Sequence, residues 1–150
     1  MAKATEYVAH PVLGTLHWLP EFSHWYVQLA FAPSGQLDLI VDPGDGDRHE
    51  FLSRAAELFQ WAMVNERRVL ADAMQARLLE LYNNSWRQDG EPEMSSDALT
   101  AQLDWQLLTV SACNLVPVEY SYDAGELFGY HGVTIEVDAE LQFRDIDLRG

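Results

Sequence analysis

The chain has 150 residues, a length typical of one domain, and 48% of them are hydrophobic, which is enough for a packed core. Its formal net charge of −15 argues against nucleic acid or an anionic membrane surface as a ligand. No apolar run approaches the ~20 residues that a membrane span requires, and the first residues lack the apolar stretch of a signal peptide. We therefore predict a single cytoplasmic domain over residues 1–150.

The first third of the chain has the alternating pattern of β-strands. Residues 14–19 and 24–31 each place their apolar side chains on one face, and a four-residue turn separates them. This turn places Trp18 opposite Trp25 in an antiparallel hairpin. Residues 37–41 alternate as a third strand, and the Asp- and Gly-rich segment that follows ends the strand pattern.

A long helical segment comes next. No glycine or proline lies between Asp47 and Asp89, and apolar residues recur at helical spacing. Asp47 is a candidate N-cap, with Glu50 in the capping-box position. The spacing is least regular over residues 64–68, where we expect either a kink or a break into two helices.

Strand patterns return after a short helix that Ser95 or Ser96 can cap and that runs through Leu103. Pro117 cannot donate to a ladder, which predicts an edge position for its strand. A phase change near Arg144 predicts a bulge. Four strands are predicted here, over residues 106–114, 116–122, 132–138 and 141–148.

The order of these elements defines the predicted fold. Three strands are followed by helices and then by four strands. Strand runs at both ends of a helical centre predict an α+β domain, with an antiparallel sheet from the N- and C-terminal strand runs packed on the central helices.

The acidic charge is concentrated towards the C-terminus. Residues 89–150 contain thirteen acids and two arginines, a net charge of −11, whereas the first 88 residues carry −4. Tyrosines interleaved with carboxylates suit a basic, partly apolar protein partner. Two alternatives stay open: the tyrosine rings fill the core, or the charge only keeps a part of a larger assembly soluble. The predicted partner-binding residues are Glu119, Tyr120, Tyr122, Asp123, Glu126 and Tyr130.

Histidines at seven-residue spacing give an alternative function, a metal-dependent enzyme. Its metal site would join His17 and His24 with Glu21. The hairpin register places the two histidines diagonally on the outer face, and exposed histidines without a metal are the other interpretation. No known catalytic motif is present, so we assign no catalytic residue and no cofactor. Catalytic activity and oligomeric state stay open.

Two single residues carry further predictions. Cys113 is the only cysteine, which excludes an internal disulfide and a multi-thiolate zinc site. Its small apolar neighbours predict a buried thiol rather than a reactive one. Trp86 stands in a polar segment and either folds back on the core or anchors a partner.

The run Leu-Phe-Gly-Tyr-His-Gly-Val-Thr-Ile-Glu-Val at residues 127–137, with the closing residues 145–150, resembles a group of bacterial domains of unknown function. In that group a Phe-Gly-x-His-like element enters a strand, and residues 81–86 are similar to the Leu-Tyr-Asn-x-x-Trp that closes its helix. The resemblance implies an α+β fold and no established activity, although some relatives are thought to be immunity-type proteins. His131 matches the group's histidine, and we expect it to bond a neighbouring backbone group rather than to act in catalysis. The leading hypothesis is a binding protein, of immunity type on this resemblance, whose acidic C-terminal face docks a basic protein.

Overall fold

A computed structural model describes residues 6–31 and 35–150. Over these residues the strands form one eight-stranded sheet whose order is the order of the chain, β1 to β8. β4 and β5 are parallel, and the other neighbours are antiparallel. A long central helix packs against the sheet, so the predicted α+β class is confirmed.

The N-terminal strands form a continuous antiparallel meander. They are β1 (Tyr7–His10), β2 (Gly14–Leu19), β3 (His24–Phe31) and β4 (Gly35–Asp42). Trp18 lies opposite Trp25, as the hairpin pattern predicts. β1 is not evident in the sequence pattern. The turn after it is held by His10, whose Nδ1 accepts the backbone N–H groups of Val12 and Leu13 at 3.1 and 3.3 Å.

The helical segment runs without interruption but changes its winding. It consists of α1 (Phe51–Ala73), a π-helical turn (Met74–Leu78), α2 (Leu79–Leu81) and a second π-helical turn (Tyr82–Trp86). The irregularity expected at residues 64–68 is therefore wrong in position, because α1 is regular there. The N-cap predicted at Asp47 is wrong, because α1 begins at Phe51 with Glu50 as its N-cap and no side-chain cap bond. Asp47 instead holds the turn before α1, where its Oδ1 accepts the N–H groups of His49 and Glu50 at 2.9 and 3.0 Å.

The C-terminal elements are α3 (Ser96–Gln102), β5 (Asp104–Ser111), β6 (Val118–Asp123), β7 (Gly132–Val137) and β8 (Phe143–Arg149). Ser95 is the N-cap of α3, since its Oγ accepts the N–H of Ala98 at 3.1 Å, which confirms the predicted start. Arg144 is the extra residue where the β7–β8 register shifts, which confirms the predicted bulge.

The edge position predicted for the strand after Pro117 is wrong. β6 lies inside the sheet, between β5 and β7. Pro117 precedes the strand, so its missing N–H removes no bond from the ladder. Its carbonyl instead accepts the N–H of Ser111 at 2.9 Å.

The two faces of the sheet differ in burial. Strand residues on the face towards α1 make up the core, among them Trp25, Leu39, Leu108, Tyr120 and Ile135, each 0% exposed. Alternate residues point to the opposite face and are mostly polar and partly exposed. No helix in the described parts of the chain combines the length and apolar character that crossing a membrane requires.

Candidate functional site

The six residues predicted to bind a partner lie in three different places. Two tyrosine rings are buried towards α1, one carboxylate lies on the opposite face of the sheet, and three residues lie at the end of β6 and in the loop after it. In that order they are Tyr120 and Tyr122, then Glu119, then Asp123, Glu126 and Tyr130. The structure therefore brings only the last three together.

Tyr120 and Tyr122 fix β6 to the helix. The Tyr120 hydroxyl donates to the carbonyl of Ala62 at 2.7 Å, and the Tyr122 hydroxyl donates to Oε2 of Glu66 at 2.5 Å. Burial, assisted by the negative charge of Glu66, raises the pKa of both phenols well above the ordinary value. In the sequence, Val118, Tyr120 and Tyr122 occupy alternate positions of the strand. This pattern favours the alternative in which the two tyrosine rings fill the core.

Glu119 lies half-buried on the other face of the sheet. Burial raises the pKa of its carboxyl group, and the nearby Glu136 and Asp147 add to the rise. The guanidinium of Arg149, 3.6 Å from Glu119, opposes it but is shared with Asp147 at 2.9 Å. This carboxylate is therefore part of a local charge network in the sheet.

The β6–β7 loop, residues 124–131, is held in one conformation by its own backbone. Asp123 accepts the N–H of Gly125 at 2.9 Å, and three further N–H groups donate to carbonyls three residues earlier in the chain. Gly125, Gly129 and Tyr130 have left-handed φ values of 55°, 62° and 66°. For a bulky residue such as Tyr130 this conformation is strained, and such strain clusters at functional sites.

Tyr130 presents its ring to solvent. Its side chain is 75% exposed, and its hydroxyl donates to Oε1 of Glu126 at 2.8 Å. That hydrogen bond to a carboxylate raises the pKa of the Tyr130 phenol. The contact joins an aromatic ring and a negative charge in one surface feature.

Phe128 anchors the loop to the end of the helical segment. Its ring is fully buried and meets Tyr82 and Trp86 edge-on, with centroids 5.7 and 6.0 Å apart. His131, next to β7, places Nδ1 2.8 Å from the Phe128 carbonyl. A carbonyl only accepts, so Nδ1 carries the proton, and the bond to a neighbouring backbone group that we expect for His131 is present. Trp86 is half-buried and packs against the core, which is the first of the two alternatives predicted for it.

A cleft of about 330 Å³ opens beside this loop. The second π-helical turn, the segment after it, α3 and the β6–β7 loop all contribute to its walls. Its aromatic and polar lining consists of Tyr82, Trp86, Gln88, Glu91, Gln102 and Glu126. Tyr82 and Trp86 lie in the Leu-Tyr-Asn-x-x-Trp-like run and Glu126 is a predicted partner-binding residue, whereas Gln88, Glu91 and Gln102 come from segments without a motif.

The walls of the cleft are tied to each other. Asn83 Oδ1 accepts the N–H of Met94 at 2.9 Å, and its Nδ2 donates to the Met94 carbonyl at 3.0 Å. Arg87 donates to the carbonyls of Asn83 and Glu91. These bonds hold segment 87–95 against the helical segment, so the cleft is formed without a ligand.

The same end of the sheet is strongly acidic. The acids of segments 87–104 and 123–131 are all exposed, and Arg87 is the one Lys or Arg within these two segments; we call this surface the acidic end. Arg149, at the end of β8, lies opposite Gly132 and is paired with Glu119 and Asp147. The antiparallel register places the start of β5 beside the end of β6, which joins the two segments in space. By contrast, residues 51–86 contain four arginines and four acids, which cancel. The acids of the acidic end are Asp89, Glu91, Glu93, Asp97, Asp104, Asp123 and Glu126.

The candidate metal ligands lie on the β2–β3 hairpin. His17 and His24 occupy the diagonal positions expected from the register. Burial lowers the pKa of His24, although the negative charges of Asp42 and Glu21 oppose this. Within residues 6–31 and 35–150, no three His, Cys, Asp or Glu side chains are arranged to hold a metal ion.

Cys113 is exposed, so the predicted burial of its thiol is wrong. β5 ends at Ser111, and Cys113 falls in the turn where the chain leaves the sheet. Its N–H donates to Oγ of Ser111 at 3.0 Å. This turn lies at the end of the sheet opposite the acidic end.

These features define an α+β domain with an eight-stranded, mostly antiparallel sheet on a central helix, and a preformed cleft at its acidic end. No family model, no curated protein and no solved structure matches the chain.

Proposed function

We propose that this protein is a binding protein that docks a basic protein partner through its acidic end. The observation that carries the proposal is the exposed ring of Tyr130, held in a left-handed conformation and bonded to Glu126 beside the acidic cleft. Tyrosine is enriched at interfaces because it offers a large, rigid contact with one polar atom. An immunity-type protein that covers a basic toxin is the relation that the sequence resemblance favours.

Charge and rigidity support the proposal in different ways. Seven exposed acids outnumber the two arginines at this end, Arg87 and Arg149, and so steer a basic partner to it and disfavour acidic competitors. The backbone bonds of the β6–β7 loop and the buried ring of Phe128 fix Tyr130 before binding. A rigid loop loses little conformational freedom on association, so more of the contact energy contributes to affinity.

The test is capture of partners from a lysate of the native host at low salt, followed by high-salt elution and mass spectrometry. We expect one basic protein in a stoichiometric amount, because surface charge pairing is screened by salt. Tyr130→Ala should reduce its affinity roughly tenfold, the effect of losing about 1.4 kcal/mol at a central tyrosine. Asp123→Asn combined with Glu126→Gln should slow association as well.

Phe22→Ala is the matched control for Tyr130→Ala. Phe22 is 65% exposed and lies in the β2–β3 turn at the opposite end of the sheet. The control for the Asp123 and Glu126 double variant is Asp45→Asn combined with Glu50→Gln, which removes two exposed negative charges at that opposite end. Docking through the acidic end is contradicted if retention of the basic protein does not depend on salt. It is also contradicted if the control variants lose the partner as much as the variants at the acidic end.

A further inference from the structure

We infer that the cleft at the acidic end receives the guanidinium group of an arginine side chain; the source of that arginine, the docked basic protein, rests on the proposed function. The volume of about 330 Å³ is at the lower end of pockets that hold small ligands, and it suits one long side chain. The lining combines two aromatic rings with carboxylates and side-chain amides.

This lining matches guanidinium chemistry. A guanidinium group is planar, stacks on aromatic faces and donates paired hydrogen bonds to a carboxylate. Trp86, which is partly exposed, offers a ring, whereas Tyr82 is buried and closes the cleft behind it. Glu91 and Glu126 offer the carboxylates. An anion would meet repulsion from both carboxylates, and an apolar group would desolvate them without compensation.

Tyr82 and Trp86 are the first and last residues of the second π-helical turn. Side chains four residues apart lie on the same face of a helix, so both residues contribute to one wall of the cleft. Turns of this kind frequently occur at functional sites.

Arg87, the arginine of segment 87–104, does not fill the cleft. Its guanidinium donates to the backbone carbonyls of Asn83 and Glu91, and Arg87 is not among the residues that line the cleft. Arg87 therefore fixes the wall and leaves the Glu91 carboxylate available to a second cation.

The test uses a small probe, N-acetyl-arginine amide, followed by nitrogen–proton correlation spectra of the labelled protein. We expect saturable shifts of the Trp86 indole and of the side-chain amides of Gln88 and Gln102, with a Kd on the order of 1 mM. N-acetyl-citrulline amide, which has nearly the same shape but no charge, should not produce them. N-acetyl-lysine amide should bind several-fold more weakly, because its ammonium neither stacks nor bonds in a fork.

Two variants of the same loop complete the test. Glu91→Gln should weaken binding of the arginine probe roughly fivefold, as expected for loss of a charge-assisted bond. Glu93→Gln removes the same charge from an exposed residue that does not line the cleft, and should change binding less than about twofold. The spectra themselves show that both variants are folded.

The outcomes separate this inference from the proposed function. Absence of saturable shifts, equal binding of the citrulline or lysine probe, or equal effects of Glu91→Gln and Glu93→Gln would overturn the arginine site. If a basic protein is retained while the probe fails, the arginine site alone is wrong. If the probe binds while no basic protein is retained, the guanidinium site stands and the proposed function falls.

Discussion

Asp104, the first residue of β5, lies directly opposite Asp123, the last residue of β6. Both side chains are exposed, and like charges at facing positions of a sheet destabilise it. Gln106 bonds one oxygen of Asp104 at 3.3 Å but brings no positive charge. The repulsion lies at the end where we propose that a basic partner docks, and such a partner would relieve it.

Removing this repulsion should stabilise the free protein. We expect Asp104→Asn to raise the free energy of unfolding by roughly 0.2–1 kcal/mol at low ionic strength. The gain should shrink at high salt, since exposed charges are screened. Denaturant unfolding at two salt concentrations measures both effects. Asp72→Asn, at an exposed acid on α1, is the control, and equal changes in the two variants would contradict the cross-strand explanation.

A side chain at Gly129 should disturb the anchor of the β6–β7 loop. A Cβ there would lie 3.0 Å from Cζ3 of Trp86, whereas one at Gly125 meets nothing within 4 Å. Both glycines are left-handed, so alanine costs roughly 1–2 kcal/mol at either position. Gly129→Ala should cost about 1–3 kcal/mol more through overpacking. Thermal unfolding compares the stability of the two variants. Equal losses of stability would show that the Trp86 ring moves aside at little cost.

Stability should fall at alkaline pH through the buried tyrosines. The folded-state pKa of Tyr120 and Tyr122 is raised above the ordinary value near 10, so the fold favours their neutral form. That contribution is complete below about pH 10 and is lost as the pH rises towards the folded-state values. Unfolding experiments above pH 10, with tyrosinate absorbance recorded in parallel, should show these two rings ionising only as the protein unfolds.

The control for the alkaline experiment replaces both rings. A Tyr120→Phe and Tyr122→Phe double variant should have a lower stability at neutral pH, because two hydroxyl bonds are lost. Its stability should depend less steeply on pH above 10. Ionisation of all six tyrosines in the wild-type protein without loss of structure would refute the assignment.

Glu119 should make the free energy of unfolding depend on pH in the acidic range. Burial raises its folded-state pKa, so the protonated form is favoured in the fold. Its contribution to stability is complete below the unfolded pKa near 4.3 and is lost as the pH rises through the folded-state value. Glu119→Gln should therefore gain stability relative to the wild type as the pH rises from about 4 to 7. Glu140→Gln, at an exposed acid of the β7–β8 turn, should not reproduce this trend.

The parts of the fold that depend on neighbours in sequence can be predicted from it. The pairing of Trp18 with Trp25, the cap at Ser95 and the bulge at Arg144 each follow from a local pattern or turn length. The π-helical turns cannot be predicted in this way, because their residues have ordinary helical propensities. The position of β6 depends on the parallel pairing of β4 with β5, which no local signal specifies.

The candidate site was harder to predict for a related reason. The alternating pattern shows that Tyr120 and Tyr122 share a face with Val118. Tyr130 lies in the same acidic, tyrosine-rich segment, so composition alone does not distinguish it from the two buried tyrosines. Only the packing of Phe128 beneath the helical segment determines that Tyr130 is the exposed ring. The cleft joins Glu91 to Glu126 across 34 intervening residues, a distance over which sequence patterns carry no information.

Because the sheet order follows the chain order, almost every pair of neighbouring strands is joined by a short connection. The exception is the parallel pair of β4 and β5, which we call the seam and which residues 43–103 connect. Local contacts form quickly, whereas pairing across a long connection is slow. The two meanders can therefore assemble independently, with the seam as the step that limits the folding rate. Stopped-flow kinetics should show Val110→Ala, opposite Val41 in the seam, slowing folding, and Leu16→Ala in β2 mainly speeding unfolding.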